Sequence, residues 1–139
     1  MAPVRTLSQM VDFVKGKAKT RRVAVAYGQD PDTIGAVARA VQEKIAEVVL
    51  VGDKEKIEKL CKDRGIDVGL FTIEDVKDEF ASGKRAVELV RSGEADILMK
   101  GLISTTYYMK AVLDKEKGLL PPGKVLSHAT VIELSLIHI

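Results

Sequence analysis

The stretch ADILMKGLISTTYYMKAVL, residues 95–113, contains the pattern that decides the fold class of this 139-residue chain. It begins with a short apolar run, residues 97–99, whose length and bulk predict a buried strand. The run ends at Lys100 and Gly101, and after three hydroxyl residues, 104–106, the apolar residues recur at helical spacings of three and four. A strand, a turn and a helix in this order predict one βα unit of an α/β protein.

The turn of this unit has the features of an anion-binding site. The first N–H groups of a helix have no partner within the helix and attract negative charge. Ser and Thr hydroxyls precede the helix here, and lysines lie on both sides of them. The sequence therefore predicts a phosphate-type site made by Lys100, Gly101, Ser104, Thr105, Thr106 and Lys110. The pattern equally fits an ordinary βα connection in which a threonine caps the helix and the lysines are solvated.

The rest of the chain repeats the alternation of strands and helices. Thr6, Asp30 and Asp53 are predicted helix N-caps. Short turns join the elements, which predicts a mostly parallel sheet covered by helices on both faces, a three-layer α/β/α architecture. The strands are expected at residues 23–26, 48–51, 66–71, 97–99 and 125–132, and the third of them is expected nearest an edge.

Ligands of such sheets bind beyond the carboxyl ends of the strands. Gly28, Gly52 and the turn after Lys100 are predicted to lie along this rim, and Ser127 and His128 of the last strand are candidates for lining the crevice. A half-buried, hydrogen-bonded core histidine is the favoured account of His128. The first turn lacks G-x-G-x-x-G and no Walker loop is present, which argues against dinucleotide and P-loop sites.

Composition excludes several classes of function. A net charge of +2 with interspersed charges, 4% aromatic residues and no Trp argue against nucleic acid as a partner. No apolar run is long enough to predict a membrane partner, and a cytoplasmic location is expected. Cys61 is the only cysteine and is predicted to be a packed apolar residue rather than a nucleophile. No spacing of His, Asp or Glu predicts a metal site.

Residues 93–133, GEADILMKGLISTTYYMKAVLDKEKGLLPPGKVLSHATVIE, closely resemble the phosphate acetyl/butyryltransferase family, its butyryl branch in particular. The features are ADILMKG at the strand end, KAVL-x-KE-x-GL at the helix exit, and LSHAT. VAVAYGQD (residues 23–30) and VLVGD (residues 49–53) also fit the family, so the resemblance covers the chain to Glu133 and is weakest over residues 67–80.

The resemblance implies reversible transfer of an acyl group between butyryl or acetyl phosphate and coenzyme A. CoA, acyl-CoA and phosphate are then small-molecule substrates, and no tightly bound cofactor is expected. Phosphate contacts would come from Ser104, Thr105 and Thr106, with Lys100 or Lys110 neutralising charge. Acetyl-specific relatives tend to carry an arginine near the position of Lys110. The resemblance also favours a homo-oligomer for the intact protein.

One departure from the family limits the expected activity. Family members are considerably longer, and their second half supplies the general base and much of the CoA cleft, so no catalytic residue is assigned in this chain. Residues 134–139, LSLIHI, do not continue the family pattern and resemble translated sequencing-adaptor sequence. We therefore expect residues 1–133 to be the amino-terminal α/β part of a larger two-domain acyltransferase, inactive alone, and His138 to have no role.

Two alternatives remain open on the sequence. The first is a complete, small doubly wound domain that binds a phosphorylated ligand in a regulatory, non-enzymatic role; a long reading frame after Glu133 favours the enzyme, and a stop codon there favours this module. Its response-regulator form is disfavoured because the strands end at Gly28, Gly52 and Lys100 rather than at acidic residues. The second is a dehydrogenase fragment, which lacks the expected glycine fingerprint.

Overall fold

Four strands and five helices alternate along the chain, and the computed structural model describes residues 3–17 and 19–134. The strands are β1 (Arg21–Ala26), β2 (Ala46–Gly52), β3 (Thr72–Asp75) and β4 (Ile97–Lys100). The helices are α1 (Leu7–Lys15), α2 (Pro31–Gln42), α3 (Lys54–Asp63), α4 (Glu79–Arg91) and α5 (Thr105–Val112), and a short 3-10 helix covers Val68–Leu70. The predicted alternation of strands and helices is confirmed.

The four strands form one parallel sheet in the order β3-β2-β1-β4. Side chains alternate between its two faces, as in any strand. Val25 and Leu50 belong to a core with α2 and α3, whereas Ala24 and Val49 belong to a core with α4. Helices therefore cover both faces, and the predicted three-layer α/β/α architecture is confirmed for the described residues.

Local sequence signals explain where the helices begin. The Asp30 carboxylate accepts a hydrogen bond from the Thr33 N–H, with Pro31 in the first turn of α2. Asp53 caps α3 in the same way, and Thr6 forms the predicted capping box of α1. Each cap satisfies N–H groups that the helix itself leaves free. All three predicted caps are confirmed.

The third strand begins later in the chain than its predicted range. Residues 66–71 were expected to form a strand, but they contain the 3-10 helix, which begins where the Asp67 carboxylate accepts the N–H of Gly69 at 2.9 Å. The strand β3 follows at Thr72–Asp75 and includes Glu74, which the Arg85 guanidinium binds at 2.6 and 3.0 Å. Its position at a sheet edge agrees with the expectation.

The sole cysteine, Cys61, is 1% exposed and packs in the core that α2 and α3 share with the sheet, as expected for a small apolar residue. Burial, followed by the nearby Glu58 carboxylate, raises the pKa of its thiol. A raised pKa leaves less thiolate at neutral pH, so the environment of Cys61 disfavours nucleophilic reactivity.

The C-terminal part of the chain departs from the prediction. Residues 125–132 were expected to form a fifth strand, but they contain no strand and are exposed, Val125 by 90%. A strand needs a hydrogen-bonded neighbour, and this segment does not pair with β4. Just after it, the Glu133 carboxylate accepts the Leu7 N–H of α1 at 2.8 Å. Of the predicted tail, residues 135–139 lie outside the described residues.

The strand β4 consequently lies at an edge of the described sheet. Residues 97–99 were expected to be buried, but Ile97 is 48% exposed, because among residues 3–17 and 19–134 only β1 pairs with β4. Unpaired strand edges promote association with other chains.

We expect the 139-residue polypeptide to self-associate through this edge, and Ile97→Lys to reduce the self-association, because a charged side chain on an edge opposes strand pairing. Sizing chromatography over a range of concentrations measures the effect. Val68→Lys is the control, since it adds the same charge to an exposed apolar residue outside the strands. A sharp monomer peak from the unmodified polypeptide at all concentrations contradicts the prediction.

Candidate functional site

The carboxyl ends of β1 and β4 lie side by side at the centre of the candidate site. The helix that follows β1 packs on one face of the sheet, and the helix that follows β4 packs near α4 on the other face. Two neighbouring parallel strands whose connections leave toward opposite faces form a crevice, which is where α/β sheets bind ligands. The turn singled out by the sequence, residues 100–106, begins at this crevice.

Two backbone hydrogen bonds tie this turn to the end of β1. The Gly101 N–H donates to the carbonyl of Ala26 at 3.0 Å, and the Leu102 N–H donates to the carbonyl of Tyr27 at 2.8 Å. A Cβ on Gly101 would lie 2.7 Å from each of these two carbonyl oxygens. The close approach therefore requires glycine, and it places the start of α5 beside β1.

The three predicted hydroxyl residues come together at the N-terminus of α5. Ser104, rather than a threonine, is the N-cap, and its hydroxyl accepts the Tyr107 N–H at 3.2 Å. Thr105 and Thr106 are the first two helical residues and are exposed. Their backbone N–H groups have no acceptor among the residues that the structure describes, so both are available to an anion.

One residue at this site was missed by the sequence interpretation. Glu79, the first residue of α4, accepts the Ser104 N–H at 2.7 Å. An acidic residue in a first helical turn is the only local signal that Glu79 offers. The partner is 25 residues away, so the contact depends on the packing of α4 against α5. Because the Ser104 and Tyr107 N–H groups are both bonded, the N–H groups of Thr105 and Thr106 remain as the free donors.

The two predicted lysines occupy different surroundings. Lys100 is exposed at the end of β4, and within the described part of the chain it forms no ion pair. The Lys110 amine lies 5.2 Å from the centre of the Phe80 ring, and the Lys84 amine lies 5.3 Å from it. The Tyr107 ring is 5.3 Å from Phe80. The Phe80 ring thus contacts two cations and lies directly after Glu79, the residue that binds the Ser104 N–H.

The charge of the N-caps distinguishes α5 from the other helices that begin at this rim. Asp30, Asp53 and Asp78 each place a carboxylate on the first-turn N–H groups of α2, α3 and α4. These carboxylates offset the positive end of their own helix dipole. The cap of α5 is a neutral hydroxyl. A carboxylate nevertheless lies at this helix start as well, because Glu79 accepts the Ser104 N–H at 2.7 Å, so only the cap itself is neutral.

The remaining candidates lie outside the turn that leads into α5. Ser127 and His128 are exposed in the segment that forms no strand, and their role in lining the crevice stays a prediction. Gly28 and Gly52 lie at the rim but serve packing: a Cβ on Gly28 would meet Leu50, and one on Gly52 would lie 3.0 Å from the buried amide oxygen of Gln29.

Neither a metal centre nor a membrane span is found in the described part of the chain. Among residues 3–17 and 19–134, no three His, Cys, Asp or Glu side chains are arranged to hold a metal ion. No helix over the same residues has the length and apolar character needed to cross a bilayer.

Known proteins share both the sequence and the fold of this chain. The family model described as phosphate acetyl/butaryl transferase matches residues 6–84. A phosphate butyryltransferase of Clostridium beijerinckii is 42% identical over 115 residues, which is 83% of this chain and 38% of that protein. A phosphate acetyltransferase of Thermotoga maritima is 38% identical over 128 residues, which is 92% of this chain and 42% of that protein.

A solved structure agrees with these matches. The crystal structure of a branched-chain phosphotransacylase from Enterococcus faecalis V583 superposes with a TM-score of 0.57 and 27% identity, and covers 68% of this chain and 33% of that one. The chain spans about two fifths of the length of the curated relatives it matches. Nothing in these matches supports a regulatory binding module. Because the family model covers more than half of the sequence, the chain belongs to the phosphate acetyl/butyryltransferase family.

Proposed function

We propose that the protein takes part in reversible acyl transfer between an acyl phosphate and CoA, giving acyl-CoA and inorganic phosphate. The observation that carries the proposal is the pair of free N–H groups at the N-terminus of α5, in the crevice between β1 and β4 of a chain from this family. The named relatives include butyryl- and acetyltransferases, so both acyl phosphates are candidate substrates. CoA is proposed as a substrate rather than as a bound cofactor.

The chemistry sets what this site has to supply. The CoA thiol sulfur attacks the acyl carbon, the carbon–oxygen bond to phosphate breaks, and the thiol proton passes to a base. Negative charge develops on the carbonyl oxygen and on the leaving phosphate, where fixed donors stabilise it most effectively. In this proposal the N–H groups and hydroxyls of Thr105 and Thr106 bind the phosphate group, and Lys100 adds long-range positive charge.

Ser104 and Glu79 have a supporting role in the same proposal. The Glu79 carboxylate holds the Ser104 N–H, and the Ser104 hydroxyl holds the Tyr107 N–H. Together they fix the direction of the two remaining N–H groups before a ligand arrives. The Lys110 amine, placed over Phe80, contributes charge from the α4 side of α5 rather than a direct contact.

We also propose that these 139 residues bind the phosphate group but do not complete the transfer alone, since none of them is assigned as the base. The intact protein is proposed to be a homo-oligomer.

A titration of backbone amide resonances tests the phosphate site. We expect inorganic phosphate and butyryl phosphate to shift the N–H signals of Thr105 and Thr106 in a saturable way, because these groups are free. Lys100→Ala should weaken the affinity about two- to fivefold, the usual size of an exposed charge interaction. The amides of Glu55 and Lys56, already bonded to the Asp53 carboxylate, are the internal control.

Two results would contradict the proposal. If chloride at matched ionic strength produces the same shifts, or if CoA and butyryl phosphate both fail to bind, the acyltransfer proposal is wrong. Thioester formation from butyryl phosphate and CoA is followed in the same samples. Thioester above the blank would show that the polypeptide is active by itself and would overturn the statement that it needs a further base.

A further inference from the structure

The residue that joins β1 to the crevice has an unusual backbone. Tyr27 has φ of +58°, in the left-handed region. This region is uncommon for residues other than glycine and is a true outlier for bulky side chains. The next residue is glycine, yet Gly28 is not among the residues with positive φ. The strained position is therefore occupied by a tyrosine although a glycine lies beside it.

Hydrogen bonds to both neighbouring strands hold this conformation. The Tyr27 carbonyl accepts the Leu102 N–H at 2.8 Å, and the next N–H, that of Gly28, donates to the Val51 carbonyl at 3.0 Å. The turn after β1 is thus bonded to the turn after β4 on one side and to the end of β2 on the other. Strained residues persist where the surrounding structure fixes them in this way, and they concentrate at functional sites.

The side chain of Tyr27 lies on the same side of the sheet as α5. It packs against the core that contains Ala26 and Ile103, the residue directly before the N-cap of α5. It is only half-buried there, so part of the ring remains free for another contact. A ring in the core that contains Ile103, the residue before the cap of α5, provides apolar surface for the group that a phosphate bound at α5 carries.

We infer that the Tyr27 ring forms the wall against which the acyl chain of the bound acyl phosphate packs. The inference rests on the proposed function and deepens it, because it assigns recognition of the acyl group to Tyr27 and of the phosphate group to α5. The left-handed backbone accompanies packing of the ring against the core that contains Ile103. The ring itself, and not its hydroxyl, makes the contact.

The test compares three ligands with and without an acyl chain. For Tyr27→Gly, which suits a positive φ, butyryl phosphate affinity should fall about tenfold, since each lost methylene contact is worth up to about fourfold. Acetyl phosphate should lose less, and inorganic phosphate should stay within about twofold. Tyr27→Phe keeps the ring and should bind all three ligands as the unmodified chain does.

Lys44→Gly is the matched control. Lys44 is the other non-glycine residue with positive φ among those described, at +59°, and it lies between α2 and the start of β2, at the amino ends of the strands. Relief of strain alone should raise its melting temperature by about 2–6 °C and leave all three affinities unchanged.

The outcomes separate this inference from the proposed function. If Tyr27→Gly retains the affinity for butyryl phosphate while inorganic phosphate still binds, the ring does not contact the acyl chain and the inference is wrong. Equal losses for all three ligands, with a lower melting temperature, assign Tyr27 a purely structural role and also overturn it. Failure of the unmodified chain to bind inorganic phosphate overturns the proposed function itself.

Discussion

Gly101→Ala should lower the free energy of unfolding by about 3 kcal/mol. The new Cβ would lie 2.7 Å from the carbonyl oxygens of Ala26 and Tyr27, and both contacts are to backbone rather than to a flexible side chain. The turn must therefore move away from β1. Overpacking of this kind costs about 1–3 kcal/mol, and each of the two hydrogen bonds that it strains contributes about 1 kcal/mol.

Urea denaturation followed by circular dichroism measures this loss. Gly35→Ala is the matched control, because Gly35 lies within α2, has no positive φ, and a Cβ there would meet no atom within 4 Å. Alanine in a helix is favoured over glycine by about 0.5–1 kcal/mol, so the control should gain stability. An unchanged midpoint for Gly101→Ala would show that the two strand ends are not in the close contact described.

Gly83→Ala should destabilise the protein although it replaces a helical glycine by alanine. Gly83 is buried within α4, and a Cβ there would lie 2.5 Å from the terminal methyl carbon of Ile103, which is fully buried. We expect a net loss of about 1–3 kcal/mol, the usual cost of overpacking. The same substitution at Gly35 should have the opposite sign, since no atom lies in its way.

A double-mutant cycle identifies the cause. Ile103→Val removes the methyl carbon that obstructs the new Cβ and alone should cost about 0.5–1.5 kcal/mol. The double variant should be more stable than the sum of the single effects by about 1 kcal/mol or more, the size expected of residues in contact. Additive effects would indicate that α4 and the residue before the cap of α5 are not packed together. Such packing is what holds Glu79 near Ser104.

Elements defined by local signals were predicted correctly. The continuous apolar runs of β1 and β2 and the aspartates before α2 and α3 specify strands and N-caps through residues that lie close in sequence. No contact with a distant element is needed to recognise them. The three-layer architecture follows from their alternation.

Elements that depend on distant partners were not predicted. Glu74 lies in β3, which pairs with β2, and Arg85, 11 residues later, binds its carboxylate, so a charged segment is accommodated at the sheet edge. Residues 125–132 have the composition of a strand but, within the described part of the chain, do not pair with the open edge of β4 or with another strand. In both cases the tertiary partner, rather than the local pattern, decides the conformation.

In the candidate site, too, the features set by local sequence were predicted and those set by distant contacts were not. The turn with its hydroxyls was recognised from sequence alone, because glycine, serine and threonine before an apolar helix are a local signal. The contact of Glu79 with Ser104 was not recognised from the sequence, and neither was the left-handed backbone of Tyr27. Each depends on which strands and helices become neighbours. Gly101 was predicted as part of the turn. The need for glycine at this position comes from the close approach to β1, which can be recognised only when the strand order is known.

That strand order also affects synthesis on the ribosome. The central strand β1 is synthesised early and can pair with β2, whereas its other neighbour, β4, is synthesised late. The Arg22 N–H donates a hydrogen bond to the carboxylate of Asp96, which lies 74 residues later in the chain. At about 5–20 residues per second, one edge of β1 stays open in the nascent chain for about 4–15 s. Arg21 and Arg22 begin that strand, and flanking charges of this kind keep an exposed apolar strand from associating with other chains until its partner is translated.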